Sequence, residues 1–258
     1  MEVTVEPFCG AASVLLRKPP SKNEILNDLD GRIVNVFRVL RDPAQAAELE
    51  KLLLYTPYSS EEYEEARQPA NDPVEDARRM MVLGFQSHGN TGTSGKRSGW
   101  RRGIRAASPN SANEWRDLHQ QVQRWAHRLR GCYIENDDAL SVIRRWDSRK
   151  TLFYIDPPYL AEVRALGGKA YKHEMDEEQH VELASLLQEI EGMAVVSGYR
   201  TCLYDRLYKE WRRIDRKALC DKGRIATESI WLSPSVVSAL PQMDLFDTET
   251  SIETMRNE

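Results

Sequence analysis

Short apolar runs that stop at turn residues alternate with stretches of helical spacing along most of the chain, the pattern of an α/β sheet domain. Val3-Thr4-Val5 leads into Glu6-Pro7-Phe8-Cys9-Gly10, a strand entering a turn, and Glu24-Ile25-Leu26-Asn27-Asp28 is a second strand that ends on an acid. Ile33, Val34, Phe37 and Leu40 have helical spacing over residues 30–40. The rhythm returns with a strand at Cys132-Tyr133-Ile134, a helix from Asp138 to Trp146 and a buried strand from Leu152 to Ile155. Pro157 and Pro158 forbid continuation of that strand, because each lacks an N–H and fixes φ near −65°. A helix with an acidic first turn is predicted from Asp176 to Ile190 and a buried strand from Met193 to Ser197. Trp211–Ile214 and Glu228–Leu232 read as a closing antiparallel pair.

Between the two sheet-like parts the pattern changes. Residues 44–88 are charged and helical, with breaks near Pro57, Pro69 and Pro73, and a further helix is predicted from Asn113 to Arg130. Residues 89–108 hold five of the 14 glycines and five bases (Lys96, Arg97, Arg101, Arg102 and Arg105) with no acid. From Pro241 the tail is polar and acidic, as a disordered terminus would be. The expected organisation is one sheet domain, residues 1–43 and 131–240, interrupted by a helical, basic-tipped insertion at 44–130 and followed by a tail at 241–258.

Composition narrows the class without naming a function. No apolar run approaches the roughly 18 residues of a membrane span, and no signal peptide precedes the first strand. Cys9, Cys132, Cys202 and Cys220 are far apart and form no C-x-x-C pair, so neither a zinc site nor a disulfide framework is suggested; a reducing cytoplasm fits best. His119, His127 and His180 sit on helical stretches and read as structural, and no metal site is expected. The net charge of −4 does not suit a wholly basic nucleic-acid coat protein, but it allows a local basic surface at 89–108.

Two places carry candidate chemistry. Gly10, with Ala11, Ala12 and Ser13, follows the first strand directly, where small residues let a ligand approach backbone and helix N-terminus; Asp28 ends the second strand 18 residues later. The turn is not G-x-G-x-x-G, which gives a nicotinamide cofactor little support. Asp156-Pro157-Pro158-Tyr159 puts a carboxylate, a stiff turn and a ring at the carboxyl edge of a strand, where ligands sit in open α/β sheets.

These segments stand in the order found in Dam-like DNA N6-adenine methyltransferases, and the chain resembles the phage and prophage branch of that family. Val5-Glu6-Pro7-Phe8-Cys9-Gly10-Ala11-Ala12, Asn27-Asp28-Leu29-Asp30 and Asp156-Pro157-Pro158-Tyr159 carry the resemblance. Glu135-Asn136-Asp137-Asp138, His180-Val181-Glu182-Leu183-Ala184, Val196-Ser197-Gly198-Tyr199 and Thr227 to Pro234 support it. It implies a Rossmann-like S-adenosylmethionine-dependent fold on a mixed seven-strand sheet. Pro7, Phe8, Gly10 and Ala12 would line the cofactor pocket, Asp28 would bind ribose, and Asp137 or Asn136 would approach the cofactor adenine. Ala12 replaces the second glycine of F-x-G-x-G, and its methyl is expected to tighten that pocket.

The resemblance further implies that Asp156 and the Pro157 carbonyl accept the two hydrogens of adenine N6, with Pro158 stiffening the turn and Tyr159 stacking on a base flipped from double-stranded DNA. Asp156 favours adenine, since related enzymes with Ser there modify cytosine N4 and those with Asn can modify glutamine. Lys96, Arg97, Arg101, Arg102 and Arg105 would meet phosphates and Trp100 would wedge or stack, in an enzyme of restriction–modification type. His173-Glu174-Met175 falls where a lid over the base could form. Family members carry a further N-terminal Gly-Gly-Lys segment, whereas here Met1 stands almost on the first strand. That leaves a shortened or mis-started chain, or weakened cofactor binding, with an inactive DNA-binding relic as one alternative and an RNA adenine or protein glutamine methyltransferase as another. Gln242, Leu245 and Phe246 resemble a peptide that docks on the bacterial sliding clamp.

Overall fold

Each predicted strand of the sheet forms, and the loops that follow the five parallel strands open on one edge. The computed structural model describes residues 2–87, 99–102, 111–160, 172–220 and 224–240. Among these, β1 (Val3–Glu6), β2 (Asn23–Asn27), β3 (Cys132–Glu135), β4 (Thr151–Ile155) and β5 (Met193–Tyr199) run parallel, and a hairpin of β6 (Arg212–Cys220) and β7 (Arg224–Leu232) completes a mixed seven-stranded sheet. The order is β3-β2-β1-β4-β5-β7-β6. Strand order reverses at β1, which pairs with β2 on one side and β4 on the other, and a crevice at such a switch point is the usual ligand site of open α/β sheets. Val5 is level with both Ile25 and Phe153, so the ends of the three strands meet at one height.

The two faces of the sheet are covered by different material. Val5, Ile25, Phe153, Ile155, Ala194 and Val196 pack against α8 (Ala139–Trp146), α9 (Glu177–Glu189) and α10 (Cys202–Leu207). Leu26 and Cys132 share the opposite core with α1 (Ser13–Arg17) and α2 (Gly31–Arg41). That core continues through α3 (Pro43–Tyr55), α4 (Ser60–Ala66), α5 (Pro73–Gln86), α6 (Ser111–Arg116) and α7 (Val122–Arg128), so the intervening helices and α2 are one packed body. Asp42-Pro43 and Asp72-Pro73 start α3 and α5: each aspartate accepts a backbone N–H of the first turn, and each proline occupies a position whose N–H would have no partner. Asp176 and Gln179 form a capping box at α9.

Two elements differ from the sequence expectation. The helix predicted from Asn113 to Arg130 is broken into α6, a 3-10 turn at Leu118–Gln121 and α7, with Trp115, Leu118 and Val122 all buried in the core that includes α3. Trp115 Nε1 also donates to the Thr56 carbonyl, at 2.7 Å. The closing pair is a nine-residue hairpin on each side, and it overruns β5 at the edge where Glu228 faces Tyr199. Among the described residues no helix is long and apolar enough to cross a membrane.

Candidate active site

The loops after β1, β2 and β3 are laced together by backbone groups and the side chains of Asn27, Asp28 and Asn136. Cys9 N–H donates to the Asn27 carbonyl (2.9 Å), and Gly10 N–H to Asp28 Oδ2 (3.0 Å). Asn27, 1 % exposed, spans all three loops: its Nδ2 donates to the carbonyls of Pro7 (2.9 Å) and Asp137 (3.0 Å), while its Oδ1 accepts from Asp137 N–H (2.9 Å). Asn136 Nδ2 closes the lacing on the Asp28 carbonyl at 2.8 Å. Gly10 takes φ 47°, a conformation that costs a side chain energy, and a Cβ there would meet no atom within 4 Å.

Each cofactor-side candidate can now be placed. Burial pushes the Asp28 carboxyl up, against bonds from the Asp30 and Gly10 amides, and His173 lies on the same side as a favourable charge. Asp137 is held low by Arg145 (2.7 Å) and the Asp138 amide, so its carboxylate is already engaged at the surface. Phe8 is half-buried against the β4 side of the core. Ala12 caps α1 in the left-handed region (φ 52°, ψ 38°). Its methyl is fully buried in the core shared with α2. Sequence reasoning gave no role to Asn27, or to Lys172, whose Nζ lies 2.8 Å from Oδ1 of the buried Asp30.

On the other side of the switch point, β4 ends at Asp156-Pro157-Pro158-Tyr159. Ser197 of β5 donates to Asp156 Oδ1 at 2.6 Å, and the Tyr159 hydroxyl donates to the same oxygen at 2.9 Å. Both bonds fall on Oδ1, and Asp156 is exposed, so among the described residues Oδ2 is open to a donor arriving at the edge. The Tyr159 ring meets Tyr199 edge-on at 5.0 Å, and a small cleft is lined by Tyr159, Leu160, Tyr199, Thr201 and Tyr204. Such a site can hold an amino group by its hydrogens beside an aromatic wall. Ser197 was quoted in the sequence as part of a motif, but its contact with Asp156 depends on the pairing of β4 with β5.

Of the DNA-facing candidates, Lys96, Arg97 and Arg105 lie outside the described residues, as do Gln242, Leu245 and Phe246 of the tail. Trp100 packs on the insertion: its ring lies 5.4 Å from Tyr58, and its Nε1 donates to Oε1 of the fully buried Gln86 at 3.2 Å. Ser87 and Trp100 form an antiparallel bridge, and Arg101 N–H donates to the Gln86 carbonyl at 2.7 Å, so residues 86–87 and 100–101 meet on one platform. Arg102 is exposed beside it and Arg101 half-buried. A second cleft of about 300 Å³ lies between the end of α3 and α6, in the insertion and lined by none of the residues of the strand-edge site.

Among curated proteins none matches the chain. The family comparison is positive and covers both halves of the strand edge, from β1 through the Asp-Pro-Pro-Tyr turn to the end of β6. Matching over residues 1–221, the chain belongs to the D12 class N6 adenine-specific DNA methyltransferase family.

Proposed function

We propose that the chain methylates N6 of an adenine flipped out of double-stranded DNA at a specific sequence, with S-adenosylmethionine as methyl donor. The observation that carries this is the pinned Asp156: one carboxylate oxygen is fixed by Ser197 and Tyr159, and the residue stays exposed at the end of β4, the strand beside β1. The laced loops fit the donor, because a half-buried carboxylate (Asp28) and an open glycine position (Gly10) adjoin at 3.0 Å. Asp28 would hold the ribose hydroxyls, Pro7, Phe8 and Gly10 would border the pocket, and Asn136 or Asp137 would approach the adenine ring. When bound, S-adenosylmethionine supplies an electrophilic methyl group on a sulfonium.

Adenine N6 is a weak nucleophile because its lone pair is delocalised into the ring. Asp156 Oδ2 and the Pro157 carbonyl accept its two hydrogens and orient the lone pair, so the contribution of the chain is alignment and preorganised electrostatics. The N–C bond forms as the C–S bond breaks, and the extra proton leaves N6 for Asp156 or water. Tyr159 gives the base a face on which to stack. Residues 44–130 act as the target-recognition insertion, with Arg101 and Arg102 beside the platform of Gln86 and Trp100 meeting phosphates.

The test is transfer of label from S-adenosylmethionine to unmethylated mixed-sequence DNA, with RNA and a glutamine-containing peptide as competing acceptors. Sequencing of the modified adenines reads the target. Asp156→Ala is expected to lower the rate by roughly 10³-fold or more while cofactor affinity holds. Label on RNA or peptide rather than DNA adenine, or an unaffected Asp156→Ala, rules the proposal out.

A further inference from the structure

The acceptor turn is held from behind by residues of three other elements. His180 of α9 is 1 % exposed, and its Nε2 lies 3.1 Å from the Pro158 carbonyl oxygen. A carbonyl oxygen only accepts, so Nε2 carries the proton. In the neutral ring Nδ1 is then an acceptor, and the Tyr204 hydroxyl of α10 stands 3.1 Å from it. The phenol donates to the imidazole and the imidazole donates to the carbonyl, a two-bond relay from α10 to the catalytic turn. Room for the phenol ring exists because residue 198 is glycine: a Cβ there would lie 2.8 Å from Tyr204 Cε2.

The other end of the turn is fixed by Ser197, one residue before that glycine, through its 2.6 Å bond to Asp156. Ser197-Gly198-Tyr199 therefore serves the turn three times: Ser197 holds the carboxylate, Gly198 admits Tyr204, and Tyr199 packs on Tyr159. The Pro157 carbonyl lies between two anchored residues, and the φ angles on either side of it are locked by the proline rings.

We infer that His180, backed by Tyr204, and Ser197 are positioning residues of the transfer step. They set the spacing between the Asp156 carboxylate and the Pro157 carbonyl at which both hydrogens of one amino group are accepted together. The inference rests on the reading of this turn as the N6 site. Packing alone would make His180 important for folding; positioning makes it important for turnover in protein that is already folded and loaded.

The variants are His180→Phe, which keeps a ring and deletes both nitrogens; His180→Gln, whose amide can still donate to the carbonyl; Tyr204→Phe, which deletes one hydroxyl; and Ser197→Ala. Each is compared with wild type for kcat and KM on DNA, S-adenosylmethionine binding by calorimetry, and melting temperature. The wild-type His180 ring is read by ¹⁵N NMR. His180→Phe is expected to lower kcat by about 100-fold, with KM and cofactor Kd within about twofold, since a small misplacement of reacting groups costs that much. His180→Gln should recover about tenfold of the loss, and Ser197→Ala should cost about tenfold, as expected for one bond to a charged group. Tyr204→Phe should lower kcat by roughly threefold without shifting melting, its hydroxyl acting one bond further from the turn. NMR should show the neutral Nε2–H tautomer.

Loss of activity that merely tracks melting or cofactor affinity overturns the inference, as does a Gln variant no better than Phe, or an Nδ1–H tautomer. Wild-type protein that forms no N6-methyladenine sinks the reading of the site and this inference with it. Active wild type with unimpaired variants removes the positioning role alone.

Discussion

The two halves of the strand edge are held from different places. On the cofactor side, between β1, β2 and β3, the loops hold one another: the Asn27 and Asp28 side chains engage the Pro7 and Asp137 carbonyls and the Gly10 and Asp137 amides, and the Cys9 amide meets the Asn27 carbonyl. On the acceptor side the lacing is made by side chains from neighbouring elements, Ser197 on Asp156 and His180 on Pro158. The material behind the halves differs too. Behind β1 and β2 lies buried charge: Glu24 accepts from Arg128 (2.8 Å) and Lys18, and Glu6 lies beside them. Burial raises the Glu24 carboxyl, but those bonds outweigh it and bring it down to about 2. Behind β4 and β5 lies an aromatic stack of His180, Tyr204, Tyr208 and Trp231. The first half is held from within its own loops, chiefly by the Asn27 side chain, whereas the turn is held by side chains of elements packed behind it.

Asn27 offers the sharpest break in that comparison. Asn27→Ala leaves the Pro7 and Asp137 carbonyls and the Asp137 amide without their partner, three groups at about 1 kcal/mol or more each, so a loss of roughly 3 kcal/mol of stability is expected. Cofactor affinity should fall with it, measured by denaturant unfolding and calorimetry. An equal loss of turnover in fully loaded Asn27→Ala would show that the two halves are not separately built.

Charge behind the cofactor side predicts a pH dependence. Burial pushes Glu6 from 4.5 up to about 7, and among the described residues its Oε1 has no hydrogen-bond partner. The folded chain therefore favours the protonated form. Stability is undiminished below the unfolded value of 4.5 and declines as pH rises to about 7, by up to about 3 kcal/mol. Glu6→Gln should stabilise the protein by up to that amount at pH 8 and by nothing near pH 4, read from unfolding curves across the range. Curves that stay parallel at every pH would place the Glu6 carboxylate in contact with an unseen partner.

Ala12→Gly should do least. Relief of a left-handed alanine, worth about 1–2 kcal/mol, is offset by loss of a buried methyl and by the greater freedom of glycine in the unfolded chain. Stability should change by less than about 1 kcal/mol and cofactor affinity should stay level. A several-fold gain in affinity would mean that the methyl meets the ligand after all.

How much of this was legible beforehand depends on the kind of signal. Pro157 and Pro158 end β4 wherever it lies in the fold, and Asp42-Pro43 and Asp72-Pro73 start helices by local chemistry alone. The acid at the end of β2, the small-residue turn and the Asp-Pro-Pro-Tyr edge were readable for the same reason, because each is encoded within a few consecutive residues. The 3-10 break before α7 was not, since the buried Trp115, Leu118 and Val122 have the spacing of an unbroken helix. Nor did the pattern show that Trp100 packs on Tyr58 and Gln86, a contact across 42 residues of chain.

By itself, then, the sequence determined the alternation of strands and helices, the stop of β4 and the starts of α3 and α5, and which residue types stand at the strand edge. Only the tertiary structure decided which of those residues hold one another. Ser197 reaches Asp156 because β4 and β5 are neighbours, and His180 reaches Pro158 because α9 packs beneath the turn. Periodicity records the face a residue presents; partners tens of residues apart are chosen by strand order and helix packing, which no local pattern contains.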